Sequence, residues 1–365
     1  MTLEKTARIA KCSLLPNRPY HVQWLLTRKC NYRCEGCNVW REQDKKELST
    51  EEIKKGLDVL RQLDVMEIVF SGGLPLLRED IAEILNYASR FFITTVYDNG
   101  SMAVEKIDAL RNVDFVAISL DTLNPEKSDR AKGINGSWSK AMKTIETLHE
   151  QGIPVSISPT ISQLNLHEIV DLTRYFLEKN IPLWYCLYSY DTSFDSSQLF
   201  KIGKRNEELE IADRESMVKL CDTLIEMKKK DSNILITTKT LEALKRLYLD
   251  GKRTWKCHAL QNFFMIDHLG RVAGCHLRKP VASIFDLQRV WHSPEFNTLR
   301  RTYSSCTNCN YLCYIFYSLH GSVLGNLQIA QDRWRNAKML LKKKKPYVSK
   351  FGKTEITSAS FFSAV

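Results

Sequence analysis

Three cysteines near the amino terminus have a spacing that suits iron–sulfur chemistry. The segment TRKCNYRCEGCNVW places Cys30, Cys34 and Cys37 in a Cys-x3-Cys-x2-Cys arrangement. Three thiolates on one tight loop can ligate three irons of a 4Fe–4S cluster and leave the fourth iron without a protein ligand. Structural zinc, by contrast, usually takes four ligands as two separated pairs. The triad therefore predicts a cluster whose open iron binds a substrate or a cofactor.

Five further cysteines form a second set near the carboxyl terminus: Cys257, Cys275, Cys306, Cys309 and Cys313. Cys257 and Cys275 flank a predicted hairpin made of FFMI, a turn at DHLG, and RVAG, which brings its two ends together. The later segment CTNCNYLC supplies two more ligands, and we favour Cys306 and Cys309 over Cys313. Because two separated pairs also suit zinc, a zinc site is the alternative here.

The composition is that of a globular protein able to bury a core. The 365-residue chain is 44% hydrophobic and 26% charged. It has eleven cysteines and no apolar signal-peptide core at its amino terminus. Clustered cysteines in such a chain bind metal more often than they form disulfides. Since no apolar run reaches about 18 residues, we expect a cytoplasmic protein.

Strands and helices alternate in the prediction for residues 21–190. The apolar runs are HVQWLLT, MEIVFSGG, FFITTVYDNG, DFVAISLD, PVSISPTI and PLWYCLYS. Segments of helical periodicity separate them, and the first begins with a capping box at Ser49 and Glu52. This alternation predicts an α/β fold with a parallel sheet. Six units, with a seventh left open at residues 233–250, favour a partial (β/α)6 barrel with its chemistry at the carboxyl ends of the strands.

The predicted domain organisation has five parts. They are an N-terminal extension (1–20), the partial barrel (21–212), linking helices that complete the barrel (213–253), a small cysteine-rich module (254–320) and a helical basic tail (321–365). The net charge is +11, and residues 333–353 carry Lys and Arg with no acidic residue. Such a tail can pack on the barrel, contact an anionic membrane or bind a polyanion such as RNA. We disfavour nucleic acid, and membrane association stays an alternative.

The cysteine triad resembles the signature of the radical S-adenosylmethionine (SAM) superfamily, and the resemblance runs through most of residues 20–190. It implies that Cys30, Cys34 and Cys37 hold a 4Fe–4S cluster whose open iron is chelated by SAM. It also implies reductive cleavage of SAM to a 5′-deoxyadenosyl radical, which abstracts hydrogen from a substrate. An external one-electron reductant of the flavodoxin or ferredoxin type is implied as well.

Several strand ends resemble the segments that hold SAM in this family. They contribute Gly36, Gly72, Gly73, Asn99, Ser119, Asp121 and Arg130. The glycine pair lies in FSGGLP, where Leu74 stands in the position usually taken by a glutamate, so a carboxylate partner for the SAM amine is missing. Arg130 is predicted to pair with the SAM carboxylate, because a guanidinium fork matches that group.

The second cysteine set resembles the auxiliary-cluster modules of the family, called SPASM and, in a shorter version, twitch. It implies a second 4Fe–4S cluster that assists redox chemistry. The leading hypothesis is therefore a radical SAM oxidoreductase or maturase. Its substrate is left open among small molecules, peptides and lipids, the last at a membrane surface. A non-catalytic iron–sulfur or zinc scaffold is the alternative. Cys186 and Cys221 are interpreted as core residues.

Overall fold

The structure is a computed structural model that describes residues 19–41, 46–190, 199, 202–306 and 309–320. Most of the predicted N-terminal extension and the whole basic tail lie outside the described residues. The predictions made for the tail are therefore not tested by the fold.

The strands, numbered along the chain, are β1 (His21–Thr27), β2 (Glu67–Gly72), β3 (Ile93–Asp98), β4 (Phe115–Ile118), β5 (Val155–Ile157), β6 (Thr160–Ile161), β7 (Cys186–Leu187), β8 (Phe263–Ile266), β9 (Arg271–Ala273) and β10 (Ala282–Ser283). The α-helices are α1 (Thr50–Gln62), α2 (Ile81–Ser89), α3 (Ile107–Leu110), α4 (Pro125–Lys132), α5 (Ser137–Glu150), α6 (Ile169–Glu178), α7 (Arg214–Lys230), α8 (Thr238–Asp250), α9 (Leu287–Val290), α10 (Pro294–Ser304) and α11 (Leu312–Leu319). Short 3-10 turns cover Val39–Arg41, Pro75–Leu77 and Ile284–Asp286.

Strands β1 to β5 pair in parallel and in chain order, which confirms the predicted α/β class. Beyond β5 the sheet continues through single parallel bridges from Ile157 to Leu183 and from Leu183 to Ile234. The predicted sixth strand is thus reduced to short pieces, and the seventh to one bridging residue before α8. Pro159 divides the fifth apolar run into β5 and β6, because proline has no N–H to donate to the ladder.

The hairpin of the second cysteine module is part of the barrel sheet. Strand β8 pairs in parallel with β1 and places Phe264 opposite Val22, while β9 and β10 follow in antiparallel order. The sheet order is therefore β10-β9-β8-β1-β2-β3-β4-β5. Segments on both sides of the predicted boundary near residue 254 thus contribute strands to the same sheet.

Helix α1 begins at the predicted capping box. The Ser49 side chain accepts from the Glu52 N–H, and the Glu52 carboxylate accepts from the Ser49 N–H. The apolar face of the helix is buried against the sheet. Gly56 lies on this face, where a Cβ atom would come within 2.6 Å of the Trp24 ring. Glycine is required here because the helix approaches β1 so closely.

Helix α11 packs between β8 and the segment that leads into β7. Its residues are buried on almost every side, as expected for a helix that is apolar all round. Phe316 packs on Trp184 with ring centroids 4.9 Å apart, and Tyr314 stacks on Phe263 of β8 at 5.1 Å. The helix therefore connects β8 with the segment before β7 through side-chain packing. Among the described residues, no helix combines the length and apolar character needed to cross a membrane.

Candidate functional site

The loop that carries Cys30, Cys34 and Cys37 follows β1 and is held from two sides. On one side, the Arg33 N–H donates to the Lys132 carbonyl at the end of α4 (3.1 Å). On the other, the Asn38 N–H donates to the Ile202 carbonyl (2.8 Å), and Cys37 forms a bridge with the neighbouring residue 203. The segment around residues 202–204 is therefore part of the site.

The three thiols of this loop lie close enough to influence one another. Burial raises the pKa of Cys30, Cys34 and Cys37, and that of Cys34 reaches about 12 because charge on the other two adds to the effect. Three converging thiols that become thiolates on metal binding suit an iron–sulfur cluster. Within the described part of the chain, no three His, Cys, Asp or Glu side chains are close enough for a single metal ion. A 4Fe–4S cluster has a different requirement, because each cysteine binds a separate iron of the cluster and the three thiols do not meet at one ion.

The glycine pair after β2 positions the start of the cysteine loop. The Gly73 N–H donates to the Thr27 carbonyl (2.7 Å), and the Leu74 N–H donates to the Lys29 carbonyl (2.8 Å). A Cβ atom at Gly73 would lie 2.2 Å from the Lys29 carbonyl oxygen. Gly72 adopts a φ of +118°, which favours glycine. The pair therefore fits against the backbone just before Cys30, and the Leu74 side chain is buried.

A buried lysine lies beside the triad. The Lys132 ammonium is 2.7 Å from an Asp121 carboxylate oxygen and donates to the Ser119 hydroxyl, also at 2.7 Å. Burial opposes its charge, but the carboxylate of Asp121 and the nearby Cys34 raise the pKa of Lys132 overall. The other Asp121 oxygen accepts from the Thr160 N–H (2.7 Å). Sequence analysis selected Ser119 and Asp121 but missed Lys132.

Arg130 does not join this group. Its side chain is 61% exposed, and its guanidinium pairs with Glu208 at 2.7 Å and approaches Glu35 at 3.7 Å. Arg130 and Lys132 are two residues apart on α4, so they point in different directions from the helix. The predicted cation for the SAM carboxylate is therefore placed at the surface, and Lys132 is the cation that faces the thiols. The sequence did not distinguish Arg130 from Lys132, because both are basic residues on the same short helix.

Asn99 and Gly36 both contact the cysteine loop. The Asn99 amide donates to the Asn31 side chain at 2.9 Å, which ties the end of β3 to the residue after Cys30. A Cβ atom at Gly36 would come within 2.8 Å of both Tyr188 and Leu209. The Tyr188 ring thus fills the space that a side chain at position 36 would take. The structure brings Gly36, Gly72, Gly73, Asn99, Ser119 and Asp121 around the loop.

The second cysteine set also converges. Burial raises the pKa of Cys257, Cys275 and Cys309, and charges within the set, including that of Cys306, raise them further. The Arg253 guanidinium donates to the carbonyls of Cys306 (2.8 Å) and Cys309 (2.7 Å) and so holds the loop between them. Cys257 and Cys275 lie close to each other and to both Cys306 and Cys309, and four such thiols suit a cluster with four protein ligands.

Cys313 lies to one side of this set. It lies in the first turn of α11, and its charge raises the pKa of Cys309, whereas the charges that raise the pKa of Cys257 and Cys275 do not include it. Burial raises the pKa of Cys313 to about 12, and the neighbour that adds most to this effect is Cys186 on β7. The core interpretation suits Cys221, which is fully buried, whereas Cys186 is partly accessible.

A parallel α/β sheet with one cysteine set after its first strand and another beside its edge defines an iron–sulfur protein with two centres. Residues 24–176 match the radical SAM superfamily, and residues 257–310 match SPASM, an iron–sulfur cluster-binding domain. Residues 24–176 thus form a radical SAM domain and residues 257–310 a SPASM domain, which confirms the resemblance inferred from the sequence. These two domains imply a 4Fe–4S cluster, SAM and an auxiliary iron–sulfur centre.

Characterised relatives differ in what they make. The chain is 30% identical to the Fe-coproporphyrin III synthase of Methanosarcina barkeri over 44% of its own length and 42% of the relative's. It is 23% identical to the PqqA peptide cyclase of Granulibacter bethesdensis over 76% of its own length and 75% of the relative's. Several of the curated relatives are thus matched over less than half of their length.

The fold is shared with solved structures. The structure of SuiB from Streptococcus suis bound to the precursor peptide SuiA superposes with a TM-score of 0.62 at 18% identity. The superposition covers 89% of this chain and 73% of SuiB. At this identity the likeness shows a common fold.

Proposed function

We propose that this chain is a radical SAM oxidoreductase or maturase that reductively cleaves SAM and removes a hydrogen atom from its substrate. The observation that carries the proposal is the convergence of Cys30, Cys34 and Cys37 beside the buried ion pair of Lys132 and Asp121. When bound, the cluster and SAM supply a carbon-centred radical. A low-potential one-electron reductant must deliver the electron.

The residues of the chain take distinct roles in this proposal. The three thiolates hold the cluster, and Lys132 binds the SAM carboxylate in place of the predicted Arg130. Ser119 and Asp121 hold the Lys132 ammonium in position and keep it charged. Because Lys132 is buried, water screens its ammonium less than that of an exposed cation, while the Asp121 carboxylate offsets part of its charge.

The auxiliary cluster is proposed to be bound by Cys257, Cys275, Cys306 and Cys309. The proximity of Cys257 and Cys275 to each other and to both Cys306 and Cys309 supports this set, and the SPASM match ends before Cys313. With every iron bound by protein, such a cluster exchanges electrons and does not bind substrate directly. An enzyme with this second centre can therefore oxidise its substrate.

Anaerobic reconstitution with iron and sulfide tests the proposal. We expect about eight irons per chain, since each 4Fe–4S cluster adds its own set. Dithionite and SAM should then yield 5′-deoxyadenosine. The variants Cys34→Ser and Cys309→Ser should each lower the iron content, but Cys34→Ser alone should abolish SAM cleavage outright.

Two results would contradict parts of this proposal. About four irons together with one zinc would exclude the auxiliary cluster. Full iron loading without SAM cleavage would favour the scaffold alternative.

We further propose a peptide as the substrate. Similarity to the PqqA peptide cyclase extends over about three quarters of both chains, and this supports the assignment. Short peptides labelled with deuterium at single side chains should transfer the label to 5′-deoxyadenosine. If the label is transferred from an iron–coproporphyrin and from none of the peptides, the substrate is a tetrapyrrole and not a peptide. Transfer from a lipid would favour the membrane alternative.

Membrane contact through the tail stays a prediction, because residues 321–365 lie outside the described part of the chain. Removing residues 333–365 should abolish binding to vesicles that contain anionic phosphatidylserine, if the basic run makes the contact. Equal vesicle binding by the full and shortened chains would contradict it.

A further inference from the structure

Two cysteines outside both ligand sets lie on facing surfaces inside the barrel. Trp184 packs on Phe316 with ring centroids 4.9 Å apart, which brings β7 against α11. Cys186 is two residues after Trp184 and so lies on the same face of the chain in extended conformation. Cys313 is three residues before Phe316 and so lies on the same face of the helix. The Cys186 and Cys313 side chains therefore share the contact between β7 and α11.

The surroundings of Cys186 connect it with the barrel interior. Its sulfur is 3.6 Å from the Ser158 hydroxyl, which donates to the Tyr97 hydroxyl at 3.3 Å. Tyr97 is half-buried although its neighbours Val96 and Asp98 on β3 are buried, so the inner face of the sheet retains accessible surface. Cys186 is likewise partly accessible.

Cys186 lies between the two proposed redox centres. Both Asp121 and Lys132, which lie beside the first cysteine triad, exert a charge effect on the Cys186 thiol. On its other side, Cys313 interacts with Cys186 and with Cys309 of the auxiliary set. Burial raises the pKa of Cys186, so this thiol keeps its proton at neutral pH. A neutral S–H group can give up a hydrogen atom, whereas a thiolate cannot.

We propose that Cys186 is the hydrogen-atom donor to carbon radicals formed in the barrel. This inference rests on the proposed function. The S–H bond of Cys186 breaks, a C–H bond forms on the acceptor, and one unpaired electron is left on sulfur. One electron and one proton then restore the thiol.

The external one-electron reductant would supply this electron once the auxiliary set holds its cluster, and Cys313 interacts with both Cys309 of that set and Cys186. Solvent supplies the proton by way of the hydroxyls of Tyr97 and Ser158. The product therefore gains a hydrogen that exchanges with water, since thiol protons exchange readily.

SAM cleavage in D2O without added substrate tests the donor directly. With dithionite and SAM, part of the 5′-deoxyadenosine made by the reconstituted protein should carry one deuterium from the Cys186 S–D group. In Cys186→Ser the deuterated fraction should fall several-fold, because an O–H bond is much stronger than an S–H bond. Serine keeps the size and the hydrogen bond to Ser158. The matched control Cys221→Ser changes a buried thiol on α7 and should leave the deuterated fraction unchanged.

The outcomes separate the two proposals. If the wild type makes no 5′-deoxyadenosine, the proposed function fails, and the inference fails with it. If 5′-deoxyadenosine forms and its deuterated fraction is the same in the wild type and in Cys186→Ser, only the inference is overturned.

Alkylation gives a readout that needs no turnover. In the reconstituted protein without reductant, N-ethylmaleimide should modify Cys186 faster than Cys221, as peptide mass mapping would show. Added SAM should slow the modification of Cys186 several-fold, because SAM would occupy the space beside Asp121 and Lys132. An unchanged rate at Cys186 would overturn its placement beside the cofactor.

Discussion

Lys132 and Arg130 show how strongly the environment of a single residue decides its role. Both lie in the last turn of α4, and both are cations. Arg130 is mostly exposed and pairs with Glu208, while the Lys132 side chain is 9% exposed and pairs with Asp121. Surface ion pairs contribute little to stability. A buried cation beside the proposed cofactor site is screened less by water and can bind an anionic group more strongly.

Lys132→Gln is therefore expected to weaken SAM binding. A hydrogen bond to a charged group contributes about 1.5–3 kcal/mol, so the dissociation constant should rise by about 10- to 100-fold. Arg130→Gln is the matched control and should change it by about two-fold or less. Calorimetric titration of SAM into the reconstituted variants, with iron content checked first, makes the comparison. The assignment fails if Arg130→Gln costs as much as Lys132→Gln.

Asp98 should make stability depend on pH. Burial raises the pKa of Asp98 to about 6, although backbone N–H groups, led by that of Gly100, partly offset this. Between pH 5 and 7 the folded state gives up a proton that the unfolded state has already lost. Stability therefore falls as pH rises through this window, by about 1 kcal/mol. Asp98→Asn should remove this contribution, as urea unfolding of the apoprotein at both pH values would show. Equal pH dependence in both proteins would contradict it.

At the scale of elements, the first cysteine loop is held by parts of the chain that are distant in sequence. The end of α4 binds one side of it and the segment at residues 202–204 binds the other, while the glycine pair after β2 supports its start. A loop of this kind needs such support, because three thiolates must be held where three irons can reach them. The geometry of the cluster site thus depends on contacts that its own sequence does not contain.

Gly73→Ala is expected to disturb the first cluster selectively. Its Cβ atom would lie 2.2 Å from the backbone oxygen of Lys29, so the start of the cysteine loop must move. Iron content should fall from about eight to about four per chain, with the auxiliary cluster retained. Gly152→Ala is the control, because nothing lies within 4 Å of its Cβ position and only its positive φ adds a cost of about 1 kcal/mol. Full iron content in Gly73→Ala would show that the loop does not depend on this contact.

At the scale of the whole molecule, the two cysteine modules contribute strands to one sheet. Strand β8 extends the sheet next to β1, and α11 packs against both Phe263 of β8 and Trp184 before β7. Both proposed clusters therefore lie on one continuous framework. This arrangement suits electron exchange between the barrel interior and the auxiliary set.

Phe263→Ala should destabilise both modules together. Phe263 is fully buried on β8 and stacks on Tyr314 of α11, so its loss should cost about 3–5 kcal/mol. We expect one transition in urea, in which both clusters and the helical circular dichroism signal are lost together. Phe285→Ala removes a ring that is 44% exposed and should cost less than about 1 kcal/mol. Separate transitions for the two clusters would show that the modules fold independently.

The sequence by itself indicated the family resemblance, the thiols proposed as ligands and the first strands of the parallel sheet. These features are local: short cysteine spacings, apolar runs and a capping box depend on residues that are near one another in the chain. For the same reason β1 was predicted with the bounds that the structure shows, whereas the fifth run was predicted without the interruption at Pro159.

Only the tertiary structure decided which cation faces the triad, where the hairpin joins the sheet and what surrounds Cys186. Each of these depends on contacts between residues far apart in sequence, such as Phe263 with Tyr314 or Trp184 with Phe316. Burial and charge environment follow from such packing, because the same side chain is neutral or charged, hidden or available, according to its neighbours. The sequence indicated the chemistry of the cysteines, and the packing of the folded chain determined which residues surround them.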